Sequence, residues 1–350
     1  MNREKIFGSK VFWALVAWGL ILLVSFLLNP DFFSISIQQE TGALYGSLID
    51  IINRATEIII IAFGMTLVIA TGGTDLSVGA VVALSGAVSV ALIRGDTIVA
   101  DNASAAPFIV VIVVPLLVAA FCGLWNGLLV SRMGIQPIIA TLILMVAGRG
   151  IAQLITGARL LTTGYPPFLA IGRSYILGLP LPVFLWIAVL AIIWFVTKKT
   201  ALGMFIESVG INPSASRYSG LNSKNVILLA YVISGVCAGI AGLIYASRIG
   251  VADANNAGLY YELDAILAVV IGGTSMSGGK FSLAGSLVGA LIIRTIITTV
   301  YYFGVAAEAT MVFRAAIVVV VIILQSEPVR AWMSRKKRDR KAMSGGGAAA

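Results

Sequence analysis

Histidine is absent from the 350-residue chain, cysteine occurs twice, and charged residues make up only 11% of it. That share is well under the roughly 25% usual in a soluble domain. Without histidine or a cysteine cluster there is no familiar ligand set for a metal and no Ser-His-acid constellation for nucleophilic hydrolysis. Cys122 and Cys237 both fall in apolar stretches, where buried free thiols are common, so two separate core cysteines are expected rather than a disulfide. A GxxxxGK[ST] phosphate loop is also missing, and any ATP-driven work must then be powered by another polypeptide. The net charge of +9 sits mainly in loops and termini, with no aromatic-basic interleaving and no nucleic-acid motif beside it.

What fills the chain instead is hydrocarbon. Hydrophobic residues reach 59% and mean hydropathy is +1.01. They come in continuous blocks of near-spanning length, each able to cross a core of about 30 Å as roughly 20 helical residues. Backbone groups in lipid must pair internally, and continuous blocks rather than alternation select helices over a barrel. The expected fold is an all-α polytopic membrane protein with about ten transmembrane helices, near 11–29, 55–71, 78–94, 107–130, 136–158, 181–197, 226–247, 263–272, 281–302 and 309–326. Residues 1–326 form one transmembrane domain, with a cytoplasmic loop over 198–225 and a basic tail over 327–350. The first block carries Trp13 and Trp18 and lacks a clear small-residue cleavage site after Leu28, so it is read as a retained span.

Orientation follows from the cations. With both termini cytoplasmic, sixteen Lys and Arg fall inside, including Lys198, Lys199, Arg217 and the tail from Arg330 to Lys341; five, namely Arg54, Arg94, Arg159, Arg173 and Arg248, fall outside. That asymmetry satisfies the positive-inside rule. Arg149, Arg294 and Arg314 lie within blocks, where each must snorkel, pair or face protein and water. Glu308 is a partner for Arg314 by proximity in sequence, and Arg149 is read either as lining a path or as bracing neighbouring helices. Glu57 and Asp264 read as acidic residues at outer helix starts, favoured there by the helix dipole.

Gly72-Gly73-Thr74-Asp75-Leu76-Ser77-Val78-Gly79 echoes two hundred residues later as Gly272-Gly273-Thr274-Ser275-Met276-Ser277-Gly278-Gly279, with five of eight positions identical. An internal repeat and a coincidence of composition in a chain with 37 glycines both remain open. Asp75 is suited to cap the helix beginning near Ser77 or to meet hydroxyls in a polar cavity. Gly235 and Gly239 form a small-xxx-small face for close helix packing. In the long connector, Asn212 as cap, Pro213 at the first position and Gly220 as stop predict a short exposed helix able to dock another protein.

Several runs in fixed order carry a resemblance over about residues 10–326: Gly64 through Gly79, Gly123-Leu124-Trp125-Asn126-Gly127, Ile135-Gln136-Pro137, Thr141-Leu142, Gly203 through Gly220, Ala252 through Gly258, and Gly272 through Gly279. On these the chain resembles the permease subunit of bacterial ATP-binding-cassette importers of the ribose, arabinose, xylose and galactose branch, and within it the galactofuranose type. The resemblance implies an inner-membrane subunit without covalent chemistry of its own. Its partners would be a cytoplasmic ATPase that binds ATP and Mg, a periplasmic sugar-binding protein, and a second permease, identical or related. It implies that Asn212, Pro213, Arg217 and Tyr218 couple to the ATPase. Asp75, Asn126, Gln136 and Thr141 are candidates for a sugar path or for bracing broken helices, and Asn255 and Asn256 for receiving the binding protein or forming a surface turn. An ion-coupled secondary transporter would share the ten segments, but no central cluster of acidic residues supports a proton relay.

Overall fold

The computed structural model describes residues 10–37, 42–95 and 103–302, with isolated positions at 312, 315, 316 and 319. The expected tenth span, with Glu308 and Arg314, lies outside the described residues, as does the basic tail. Nine of the ten expected segments are helices. They are α1 (Lys10–Leu28), α2 (Ser47–Ala70), α3 (Val78–Arg94), α4 (Phe108–Ser131), α5 (Pro137–Thr156), α7 (Leu181–Lys199), α10 (Ser223–Ile249), α11 (Tyr261–Ile271) and α12 (Leu283–Tyr302). Between them lie α6 (Pro166–Arg173), α8 (Leu202–Ile211) and α9 (Pro213–Tyr218). Among the described residues six helices, α2, α4, α5, α7, α10 and α12, are long and apolar enough to cross a membrane, and shorter apolar helices occupy Val11–Leu27, α3 and α8. The strands among the described residues are two-residue pairings, β1 (Ser36–Ile37) with β2 (Leu44–Tyr45), β3 (Leu161–Thr162) with β6 (Val251–Ala252), and β4 (Tyr175–Ile176) with β5 (Leu179–Pro180). The chain is thus an all-α polytopic membrane protein.

Burial separates the helices into two kinds. In α2, 83% of the apolar stretch is enclosed and in α10 61%, whereas α4, α5 and α7 enclose only 22–28%. The outer three turn Leu117, Phe121, Val146, Leu154, Ile192 and Phe195 outward, an apolar surface that only hydrocarbon or another such surface would cover. At the centre α10 packs against α2, α3, α4 and α6. The small-xxx-small face allows this: a Cβ at Gly235 would run into the Ala119 carbonyl of α4 and lie 2.9 Å from the Gly123 nitrogen, so the two backbones touch without a side chain between them. Cys122 and Cys237 are buried free thiols.

Two local expectations change. α2 begins at Ser47, eight residues before the expected start, with Asp50 in its first turn and an Asp50–Arg54 pair of 2.7 Å along its surface. Glu57 is therefore not at a helix start. It lies well inside α2, buried, and meets Arg248 at the end of α10 with Oε1 2.7 Å from a guanidinium nitrogen. Asp264 does stand in the first turn of α11. The connector, read as a loop up to Asn212, holds the second change: Leu202–Ile211 is helical, burying Gly203, Ile206, Val209 and Gly210 on one face.

The glycine echo also takes a definite form. Both turns close their helices with the Schellman pattern, in which a left-handed residue donates three residues back and the next residue donates five back. In the first, Gly72 (φ +83°) donates to Ile69 and Gly73 to Val68; in the second, Gly273 (φ +92°) donates to Val270 and Thr274 to Val269. The two closures are thus related by one residue more than the sequence echo, and Asp75 corresponds in conformation to Met276, which is exposed.

Candidate functional site

Asp75 follows the first of these turns and is 1% exposed. Its Oδ1 accepts from the Ser77 backbone N–H (3.0 Å) and the Ser77 hydroxyl (2.7 Å), the local turn that opens α3. Ser77 is the N-cap of α3 and makes no side-chain cap hydrogen bond, so Asp75 fixes the turn ahead of the helix and is not the helix cap the sequence suggests. Its other partners come from distant helices: the Ser234 hydroxyl of α10 donates to Oδ2 at 3.0 Å, and Asn126 Nδ2 of α4 donates to Oδ1 at 3.4 Å and to Ser77 Oγ at 2.8 Å. Asn126 is fully enclosed, and its Oδ1 has no hydrogen-bond partner among the described residues.

Two more contacts hold the same turn. The Tyr231 hydroxyl of α10 donates to the Thr74 carbonyl at 3.1 Å, and the Leu76 N–H donates to Thr141 Oγ1 of α5 at 3.1 Å. Thr141 in turn donates back to the Pro137 carbonyl at 2.9 Å. Three of the four residues singled out in sequence, Asp75, Asn126 and Thr141, therefore meet around one turn, joined by Ser77, Ser234 and Tyr231. Gln136 does not join them. It is exposed at the N-terminal boundary of α5, its carbonyl accepting from Ala140 N. Ser234 stands eleven residues into α10, roughly 16 Å along its axis at 1.5 Å per residue. The Asp75 turn thus sits deep in the bundle rather than at its surface. Nothing local marks Ser234 or Tyr231 in the sequence; only the packing of α10 selects them.

At the far end of α5, Arg149 donates to the carbonyls of Ala254 (3.0 Å), Asn255 (2.8 Å) and Ala257 (3.3 Å). Beside it Gln153 Nε2 donates to Asn255 Oδ1 at 2.7 Å. Of the two readings of Arg149, the geometry supports bracing, because the guanidinium satisfies a loop that has no ladder to pair with. Within that loop Asp253 accepts from the backbone of Asn255 and Asn256, each at 3.0 Å, and from Asn256 Nδ2 at 2.7 Å. Asn255 and Asn256 are exposed at the tip of this turn. Burial pushes the Asp253 carboxyl up, but the Asn256 and Asn255 hydrogen bonds and the Arg149 charge outweigh it and hold it below its ordinary 3.8. A carboxyl depressed by folding stabilises the loop above its unfolded pKa, and that contribution is lost as pH falls below about 3.8 through the lower folded value. Amide protection factors of Asn255 and Asn256 should accordingly hold above that range and drop below it, and an Asp253→Asn protein should show no such drop.

At the opposite end, α9 runs from Pro213 to Tyr218, with Asn212 Oδ1 accepting from Ala215 N at 3.0 Å and Gly220 at φ +86° just beyond it. Pro213 occupies the first turn, Arg217 the last, and Tyr218 is 94% exposed. Ile211 and Met204 of α8 are exposed nearby in the chain. The expected helix is therefore present, ending at Tyr218, one residue before the expected Ser219, and it offers an aromatic and a cation to solvent. Among the described residues no group of three or more Cys, Asp or Glu is placed to hold a metal.

The family described as the permease component of branched-chain amino acid transport systems matches residues 47–322. The galactofuranose transporter permease protein of Escherichia coli is 49% identical over 314 residues, covering 89% of each chain. The fructose import permease protein of Bifidobacterium longum is 39% identical over 341 residues, or 96% of this chain and 93% of that one. The ribose import permease protein of Haemophilus influenzae is 37% identical over 300 residues, or 85% and 86%. No solved structure matches.

Proposed function

Because the chain belongs to the family of permease components of branched-chain amino acid transport systems, we propose that it is the membrane subunit of an ATP-binding-cassette importer for a monosaccharide, with galactofuranose as cargo. The observation that carries this reading is the 49% identity to the galactofuranose permease over 89% of each chain.

In this reading the subunit performs no covalent chemistry. A periplasmic sugar-binding protein delivers the sugar, meeting the outer loop at Asn255 and Asn256. A cytoplasmic ATPase binds ATP and Mg and docks on Asn212, Pro213, Arg217 and Tyr218. A second permease, the same or related, completes the membrane part, and both termini are cytoplasmic. Asp75, Asn126, Gln136 and Thr141 border or brace the path.

The experiment is ATP-dependent uptake in proteoliposomes supplied with ATPase and binding protein, using galactofuranose, fructose, ribose and leucine. Galactofuranose uptake that needs both partners supports the proposal; leucine uptake, or sugar uptake driven by an ion gradient alone, overturns it. Arg217→Ala with Tyr218→Ala is expected to lower ATPase co-purification and uptake together by about tenfold or more, the loss of roughly 1.4 kcal/mol of interface energy or greater.

A further inference from the structure

Three chain segments far apart in sequence meet backbone to backbone between α9 and the Asp75 turn. The Gly279 N–H donates to the Ala70 carbonyl at 2.9 Å, joining the second glycine turn to the end of α2. Gly210, the penultimate residue of α8, lies against both: a Cβ there would run into the Ala70 carbonyl and come within 2.5 Å of Gly279 N. A Cβ at Gly278 would be 2.7 Å from the Gly210 carbonyl and 3.0 Å from Gly72 N. Gly278 and Gly279 are both left-handed, at φ +83° and +95°, a conformation that any other residue adopts at a cost.

The consequence is mechanical. Side chains can change rotamer and absorb a small shift, but touching backbones cannot, so a displacement on one side must appear on the other. Asn212, which caps α9, is two residues beyond Gly210. On the far side, Ala70 ends α2, and Gly72 closes it into the turn that carries Thr74 and Asp75. The turn is itself fixed to α4, α5 and α10 through Asn126, Thr141, Ser234 and Tyr231.

We propose that Gly210, Gly278 and Gly279 are positioning residues that carry movement of α9 into the Asp75 turn and so link ATP hydrolysis to rearrangement of the bundle interior. This rests on the docking role given to α9 above. The glycine pair of the second turn is then used as a bearing surface for the connector, which accounts for its lack of an Asp75 equivalent.

The test separates docking from transmission. Gly210→Ala, purified with the ATPase and reconstituted with the binding protein, is expected to retain ATPase co-purification and basal hydrolysis, while substrate-stimulated hydrolysis and uptake fall about tenfold. Wild-type stimulation and uptake would overturn the proposal, and so would loss of ATPase binding itself, which would make Gly210 part of the docking surface. A wild-type chain that binds no ATPase would instead remove the docking role on which the proposal rests. Should Gly210→Ala fail to fold, hydrogen exchange on the unaltered complex decides the matter. Trapping with a non-hydrolysable ATP analogue should alter protection at 205–218, 70–77 and 278–279 together, and a change confined to 205–218 would refute the link.

Discussion

Arg248→Ala should lower stability by about 3 kcal/mol, at the lower end of the range for breaking a buried ion pair, and bring the apparent thermal midpoint in detergent down by roughly 5–10 °C. The cause is what remains behind. Glu57 is 1% exposed on its side chain and its nearest cation is the Arg248 guanidinium at 2.7 Å; Arg248 keeps 19% of its own side chain accessible, which is why the lower end applies. Arg248 also donates to the Asn53 carbonyl at 2.8 Å and to Asn53 Oδ1 at 3.2 Å, so the truncation opens three contacts in α2 at once. Arg248→Lys should fall between, because an ammonium keeps the charge but not the planar fork. The deciding measurement is a double-mutant cycle. Adding Glu57→Gln to Arg248→Ala should recover part of the loss, since the stranded charge is gone. A double variant as unstable as the sum of the two singles would mean the pair contributes nothing as a pair.

Asp75→Ala should produce the largest transport defect in the bundle interior, a fall in uptake of about tenfold or more. The carboxylate collects donors from the Ser77 backbone, the Ser77 and Ser234 hydroxyls and the Asn126 amide. Removing it leaves buried donors with no acceptor, at about 1–3 kcal/mol each. Asp75→Asn keeps the shape and one acceptor but turns an NH2 toward a donor, so it should be milder. Uptake kinetics alongside thermal melting distinguish the two roles left open by the sequence. A brace lowers the melting midpoint and the maximal rate together, whereas a path contact raises the half-saturating sugar concentration with the midpoint unchanged.

How much of this was legible in the sequence depended on how far each interaction reaches. α9 was readable to within one residue because Asn212, Pro213 and Gly220 act within one or two turns of themselves. The nine apolar helices were readable because lipid imposes hydropathy locally, although six of them, among the described residues, are long enough to cross a membrane. Glu57 was misplaced for the opposite reason: its partner Arg248 is 191 residues away, and from a few neighbours alone an acid near an apolar block looks like a helix start. The Asp75 cluster was half visible, with Asp75, Asn126 and Thr141 standing out as polar residues in apolar surroundings. Ser234 did not, since a serine in a spanning helix commonly bonds its own backbone. The connector hid α8 because its glycines read as loop residues, although Gly203 and Gly210 are there to let backbones touch. Gln136 stood out as a polar residue within a family-like run and proved exposed at a helix boundary.

The enclosure of α2 has a consequence in time. The ribosome completes α2 at Ala70, whereas α10, which covers it, begins at Ser223. At roughly 5–20 residues per second, about 150 residues take on the order of 10–30 s. Throughout that interval the nascent chain holds Glu57 in or beside the bilayer with no Arg248 yet made. A cellular insertase that shelters α2 from lipid would bridge the wait, and the newborn protein depends on that shelter more than the finished one does.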